Sequence, residues 1–182
     1  MAFIELVEDA GEPAALSNHQ RAFAQRPAIA GGWAQLREGI TATMDPRLYE
    51  LVTLAAACRL RSSYCALAHG TVLVERFLPP DTVAAVVLEA EAAPLTPVEL
   101  AAVALARKVV EDAAAVTAED VGELRELGLS DGEIFEIVAA AAARCFFSKT
   151  LDALGVQADV GYAELEPGLR DALVVGRPIA DA

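Results

Sequence analysis

Glu50, Cys65 and His69 are the residues whose types and spacing most clearly suggest chemistry. They fall within one short segment of a 182-residue chain that has three cysteines and two histidines. On a helix, the four-residue spacing of Cys65 and His69 puts both side chains on one face, with Cβ atoms roughly 5–6 Å apart. The thiolate is the reactive form of cysteine, and an imidazole can take the thiol proton. The three residues are therefore candidates for a nucleophile, its base and a carboxylate that orients the base.

Two helices must position these residues. The first is expected to open at Asp45-Pro46, a capping residue followed by proline, and to run to about Leu60. The second is expected to begin after a break, with Ser62 or Ser63 as its capping residue. Cys65 then lies in the first helical turn, where unpaired backbone N–H groups and the helix dipole favour an anion.

The spacing of Glu50, Ser62, Cys65 and His69 resembles the Glu-x11-Cys-x2-Cys-x3-His motif of AhpD-like alkylhydroperoxidases, in the carboxymuconolactone decarboxylase superfamily. Weaker similarity extends upstream to Trp33 and downstream to residues 151–156, which resemble the closing segment of peroxidase-related members. The resemblance implies an all-α, AhpD-like helical domain without significant sheet. It also implies thiol-dependent reduction of hydroperoxides, with Cys65, His69 and Glu50 as the catalytic residues.

The resemblance has one departure from the motif, because Ser62 occupies the position of the first cysteine. A CxxC disulfide cannot form at this position. In the redox interpretation Cys65 attacks a hydroperoxide, becomes a sulfenic acid, and is restored by an external thiol. Cys58 and Cys145 are expected to be core residues, although a break near Ser62 leaves the distance between Cys58 and Cys65 open.

Three other interpretations are compatible with the same residues. A non-redox enzyme of the decarboxylase type would use His69 and Glu50 for acid–base chemistry on a small carbonyl or lactone. A catalytically silent helical oligomer would use its apolar surface for assembly alone. A zinc site built from Cys58, Cys65, His69 and Glu50 is disfavoured, because structural zinc normally has paired, closely spaced ligands. No cofactor or metal is expected.

Composition limits the partners and the fold class. The net charge of −13 disfavours nucleic acid and anionic membranes as partners. An apolar fraction of 55% with few aromatic residues favours closely packed helices, whose remaining apolar faces predict a homo-oligomer. There is no nucleotide-binding or HExxH motif, and the N-terminus lacks the features of a secretory signal, so a cytoplasmic location is expected.

A single domain is expected over residues 1–182, with an N-terminal arm at 1–26 and a C-terminal tail at 157–182. Proline and glycine predict two short helices, at residues 19–26 and 32–40, with Trp33 as a core anchor. Capping signals predict further helices along the chain. The expected ranges are from Ser62 to about Phe77, Asp81–Glu89, Thr96 to about Ala115, Thr117 to about Gly128 and Ser130 to about Leu154, with one further turn or two around 167–173.

Overall fold

The computed structural model describes residues 2–8, 16–88 and 93–181, and these residues form nine α-helices and no strand. The all-α prediction is confirmed. No helix in the described ranges is long and apolar enough to cross a membrane. The helices are α1 (Asn18–Phe23), α2 (Pro27–Thr41), α3 (Pro46–Arg59), α4 (Ser63–Arg76), α5 (Pro80–Val87), α6 (Pro97–Asp112), α7 (Ala118–Glu126), α8 (Asp131–Ala153) and α9 (Pro167–Leu173).

Helix α3 lies at the centre of the fold, packed against α4, α6 and α8. Its residues from Leu51 to Ala57 are all buried, so this part of the helix is enclosed on every side. Small side chains at Ala55, Ala56 and Ala57 allow neighbouring helices to approach from several sides. A helix enclosed in this way provides a rigid support for Glu50, which lies near its N-terminal end.

Four of the predicted helix starts are confirmed by side-chain caps. The Asp45 carboxylate accepts the backbone N–H of Leu48 at 2.8 Å. Thr96, Thr117 and Ser130 each form a capping box with the third residue of the helix that follows. Each box satisfies backbone N–H groups that have no partner within the helix, which explains why such short signals locate the starts well.

Three sequence-based boundaries are corrected. Gly31 and Gly32 do not separate two helices, because α2 runs without a break from Pro27 to Thr41. Helix α6 ends at Asp112, and residues 113–115 form a separate turn of 3-10 helix. The short helix expected at 81–89 spans Pro80–Val87, and Glu89 lies outside the described residues.

The two terminal segments contact the helical body. Within the described part of the arm, the Phe3 N–H donates to the Leu154 carbonyl at 2.8 Å. In the tail, α9 packs against α4 and α5, with Leu173 fully buried. Gly70 on α4 permits this approach, since a Cβ there would lie 2.5 Å from a Leu173 methyl carbon. The tail therefore supports the helix that carries Cys65.

Candidate active site

The chain breaks between α3 and α4 as the sequence predicts. Ser62 is the N-cap residue of α4 and is fully buried, although its side chain makes no capping hydrogen bond. Arg61 makes the turn with a φ of 56°, an uncommon conformation for a residue with a Cβ. The tail covers this turn, where the Gly176 N–H donates to the Ser63 hydroxyl at 2.8 Å. The break leaves Cys65 as the third residue of α4.

Cys65 is buried against an arginine that sequence analysis did not assign to the site. The Arg144 Nη1 atom on α8 lies 3.7 Å from the Cys65 Sγ atom, and its Nη2 atom donates to the Tyr49 hydroxyl at 3.5 Å. Arg144 is only 4% exposed, and its guanidinium packs over the rings of Trp33 and Phe147. Arg144 therefore places a buried positive charge and an N–H donor beside the sulfur, a surrounding typical of reactive cysteines.

Glu50 and His69 form a direct pair across α3 and α4. His69 Nδ1 lies 2.5 Å from Glu50 Oε2, and both side chains are largely buried. Burial lowers the pKa of His69, and the charge of Arg144 acts in the same direction, whereas Glu50 opposes them. With Nδ1–H donated to the carboxylate, Nε2 is the ring nitrogen that remains to accept a proton.

Glu50, Cys65 and His69 line one cavity of about 550 Å³. This volume falls within the range of small-molecule sites in proteins. Aromatic side chains form much of the wall, and Trp33 stacks on Phe147 with ring centres 4.7 Å apart. Trp33 therefore lines the site as well as packing on the core. Among the described residues, no group of three or more potential ligands is arranged to hold a metal ion.

A second polar chain lines the same cavity. His19 Nδ1 lies 3.1 Å from the Tyr64 hydroxyl, and that hydroxyl donates to the Asp159 carboxylate. Asp159 also accepts the backbone N–H of Asn18 at 2.7 Å, which ties α1 to the tail. Burial lowers the pKa of His19, while burial and the Asp159 contact raise the pKa of Tyr64. The tail thus contributes directly to the cavity wall.

The other two cysteines stand apart from this arrangement. Cys58 lines a different surface cavity, with Leu88 and Val110 among its neighbours, and it does not line the Cys65 cavity. Cys145 follows Arg144 on α8 and is partly exposed. None of Cys58, Cys65 and Cys145, all of which lie in the described residues, takes part in a disulfide bond. Cys65 is thus the cysteine among them that shares a cavity with the Glu50–His69 pair.

Comparison with known proteins agrees with this fold. Residues 27–108 match the model of the carboxymuconolactone decarboxylase family. The structure is similar to an alkylhydroperoxidase AhpD core, a peroxidase-related protein from Ralstonia eutropha JMP134, with a TM-score of 0.75 at 20% identity over 81% of this chain and 80% of that one. The fold is therefore AhpD-like, and its segment 27–108 is similar to the carboxymuconolactone decarboxylase family.

Other solved structures extend the comparison. A peroxidase-related protein from Silicibacter sp. TM1040 gives a TM-score of 0.76 at 17% identity, covering 82% of this chain and 80% of that one. The debrominase Bmp8 gives 0.74 at 19% identity, covering 87% and 84%. No curated protein sequence matches this AhpD-like chain. At these identities the neighbours establish the fold, and the chemistry has to be argued from the site itself.

Proposed function

We propose that the protein is a peroxidase-related enzyme that reduces hydroperoxides with a single reactive thiol, Cys65. The observation that carries the proposal is the cavity shared by the three residues, in which the sulfur faces the Arg144 guanidinium at 3.7 Å. The Glu50–His69 pair supplies a neutral imidazole held in one orientation. A thiol, a base and a positive charge are the groups that thiolate chemistry needs.

The reaction balances with these groups alone. His69 takes the thiol proton through Nε2, and the Cys65 thiolate attacks the terminal oxygen of the hydroperoxide. The S–O bond forms as the O–O bond breaks, and the departing alkoxide receives the proton from His69. The products are an alcohol and a sulfenic acid on Cys65, so the sulfur is oxidised by two electrons and the peroxide is reduced by two.

Restoration of Cys65 requires an external thiol. Ser62 cannot supply a sulfur, and Cys58 lines a different cavity. A first thiol condenses with the sulfenic acid, releasing water and leaving a mixed disulfide. A second thiol then displaces Cys65 and leaves as a disulfide with the first. A cavity of this size suits access by a small-molecule thiol.

Acid–base chemistry on a lactone is the second candidate function, and the charges in the cavity give it a specific basis. Arg37, Arg76 and Arg144 line the cavity together with the carboxylates of Glu50 and Asp159. When the Cys65 thiol is protonated, the three arginines and two carboxylates give the cavity a net charge of +1. A positive cavity suits a lactone that bears a carboxylate. The structure of a Bmp8 debrominase variant in complex with 2,3,4-tribromopyrrole also indicates that this fold accommodates other chemistry.

Turnover assays test the two candidates. Consumption of tert-butyl hydroperoxide with dithiothreitol as reductant should be lost in Cys65→Ser, and the matched Cys145→Ser variant should retain it. If the protein instead acts on a lactone by acid–base chemistry, the Cys65→Ser variant should keep its lactone turnover. The His69→Ala variant should lose this turnover and should not recover it at alkaline pH. Equal peroxide consumption by Cys65→Ser and the unmodified protein would remove the peroxidase proposal.

The assembly expected from the composition remains a proposal. Ile29, Leu36, Phe135 and Phe146 are large apolar side chains exposed on α2 and α8. A second copy of this chain would cover such a surface, as expected of homo-oligomers. Light scattering should give a mass above that of the 19.1 kDa chain, and a monomer at micromolar concentration would contradict the proposal.

A further inference from the structure

Arg37 and Arg76 line the cavity, but the attack of Cys65 on a hydroperoxide does not use them. Arg37 lies one turn after Trp33 on α2, and Arg76 lies two turns after His69 on α4, so both helices present an arginine on the face that forms the cavity wall. Both arginines are exposed, whereas Arg144 beside the sulfur is buried. Arg37 and Arg76 therefore lie at the rim of the cavity, and Arg144 lies at its base.

The two rim arginines are not paired with acidic side chains. Among the residues that the structure describes, no carboxylate lies within ion-pair distance of Arg37 or Arg76, although carboxylates pair with Arg47, Arg59, Arg125 and Arg170. The Arg76 guanidinium contacts the neighbouring Phe77 ring, with 5.1 Å between its central carbon and the ring centre. Acidic residues outnumber basic ones by 27 to 14 in this chain. Two unpaired arginines on one rim therefore indicate a site for an anion from outside the chain.

The charge of Arg37 acts on the interior of the cavity. Burial lowers the pKa of both His19 and His69, and the charge of Arg37 adds to the lowering at each of them. Both histidines line the cavity. An anion that enters the cavity is therefore attracted by the same guanidinium.

The net charge of the cavity changes when Cys65 is oxidised. In the reduced form, the three arginines of the wall are balanced by two carboxylates and the Cys65 thiolate, with both histidines neutral. The sulfenic acid carries no charge, so the oxidised form has a net charge of +1. The reduced cavity therefore suits an uncharged hydroperoxide, and the oxidised cavity suits an anion.

We propose that Arg37 and Arg76 bind the reductant of the oxidised protein, and that this reductant is a small thiol bearing a carboxylate. The carboxylate accepts hydrogen bonds from the rim guanidiniums while the thiol reaches the sulfenic acid at the base of the cavity. The inference rests on the proposed function, because it concerns the external thiol that restores Cys65.

The step that this thiol performs is balanced. Its sulfur attacks the Cys65 sulfur, the S–S bond forms as the S–O bond breaks, and the hydroxide leaves as water with the thiol proton. The sulfenic sulfur is reduced and the thiol sulfur is oxidised, so that both reach the disulfide level. The carboxylate of the bound thiol returns the cavity to zero net charge. The preference for an anion therefore applies to the first of the two thiols consumed in each cycle.

A methylthio label on Cys65 tests the proposal without any hydroperoxide. Methyl methanethiosulfonate supplies the label, which leaves the sulfur oxidised and uncharged. The label is then removed at low salt by 3-mercaptopropionate or by its amide, which has the same length and no charge. Mass spectrometry follows the loss of the label at each cysteine. Cys145 is partly exposed and does not line the cavity, so its rate corrects for the intrinsic reactivity of each thiol.

We expect the corrected rate at Cys65 to be about tenfold higher for the carboxylate than for the amide, because each of two exposed ion pairs contributes a factor of about three. The preference should fall at 1 M sodium chloride, where charges are screened within about 3 Å. Equal corrected rates at low salt would overturn the proposal.

Substitutions locate the preference on the rim. Arg37→Gln and Arg76→Gln should each reduce it to about threefold, and Arg37→Lys, which keeps the charge, should retain most of it. Arg125→Gln is the matched control, because it removes one charge from α7 at a residue that does not line the cavity, and the tenfold preference should persist. An unchanged preference in the double Arg37→Gln, Arg76→Gln variant would refute the proposal. An equal loss in Arg125→Gln and Arg37→Gln would also refute it, since the effect would then come from the charge of the whole chain.

The same measurements separate this inference from the peroxidase proposal. A carboxylate preference at labelled Cys65, in a protein that does not consume tert-butyl hydroperoxide, would support the rim site and remove the peroxidase proposal. Consumption of the hydroperoxide together with equal rates for the two thiols would remove the rim site alone.

Discussion

Replacing Arg144 by methionine should slow the reaction of Cys65 with an alkylating reagent at pH 7. The variant keeps a long side chain but removes the charge that lies 3.7 Å from the sulfur. At an effective dielectric constant of about 20, two unit charges at this separation interact by about 4 kcal/mol, equivalent to about a thousandfold. Desolvation of the buried pair offsets part of this interaction, so we expect a loss of between about tenfold and a thousandfold.

Mass spectrometry of iodoacetamide-treated protein measures this rate separately for each cysteine. Cys58 serves as the internal control, because it lines another cavity and its rate should not change unless the variant opens the fold. Arg144→Lys is the matched variant, since it keeps the charge and loses the planar contact with Trp33 and Phe147. It should retain more of the Cys65 reactivity than Arg144→Met does.

Raising the pH separates electrostatics from access. If Arg144 acts by stabilising the thiolate, the Arg144→Met protein should recover at alkaline pH, where the thiolate forms without help. A Cys65 rate equal to that of the unmodified protein between pH 6 and 10, with Cys58 also unchanged, would refute the electrostatic role. A rate that falls equally at every pH would indicate that the variant blocks access instead.

Three further predictions concern stability and redox form. Acidification from pH 7 to pH 5.5 should lower the free energy of unfolding in urea, because burial holds the folded-state pKa values of His19 and His69 below the ordinary value of 6.5 and the unfolded chain therefore binds more protons in this range. The slope is at most about 1.4 kcal/mol per pH unit for each histidine. Gly176→Ala should lower the melting temperature, because the added Cβ would overlap the backbone carbonyl oxygen of Arg61. Gly161→Ala should leave the melting temperature unchanged, because its Cβ would lie in open space. Peroxide treatment without a thiol should add one oxygen to Cys65, and peptide mapping that finds an internal disulfide in high yield would contradict the external-thiol step.

The parts of the fold that sequence predicted are those set by neighbouring residues. The Asp45, Thr96 and Ser130 caps act within three residues of themselves, so their signals do not depend on the rest of the chain. Gly31 and Gly32 misled the prediction because glycine weakens a helix without preventing it. Packing of α2 against α8 outweighs that cost.

The parts of the site that sequence missed come from distant residues. Arg144 lies 79 positions from Cys65, and His19 lies 45 positions from Tyr64. No local pattern links such residues. One signal was present, since Arg144 interrupts an alanine-rich helix that is otherwise suited to burial. A charged side chain in the middle of an apolar helix face needs a partner, and that requirement alone could have marked it as a candidate.

Charge balance in the cavity gives a reason to prefer one function over the other. Among the described residues that line it, three arginines contribute +3, and Glu50 and Asp159 contribute −2, with both histidines neutral. A Cys65 thiolate brings the sum to zero, although the whole chain carries −13. A cavity with no net charge favours an uncharged substrate such as a hydroperoxide. A substrate carboxylate would be buried beside the thiolate, and every arginine in the cavity wall would already be offset by a negative group. A carboxylate-bearing lactone would instead compete with the thiolate for Arg144. Benzoate should therefore slow Cys65 alkylation by competing for Arg144, and an alkylation rate that benzoate leaves unchanged would contradict this competition.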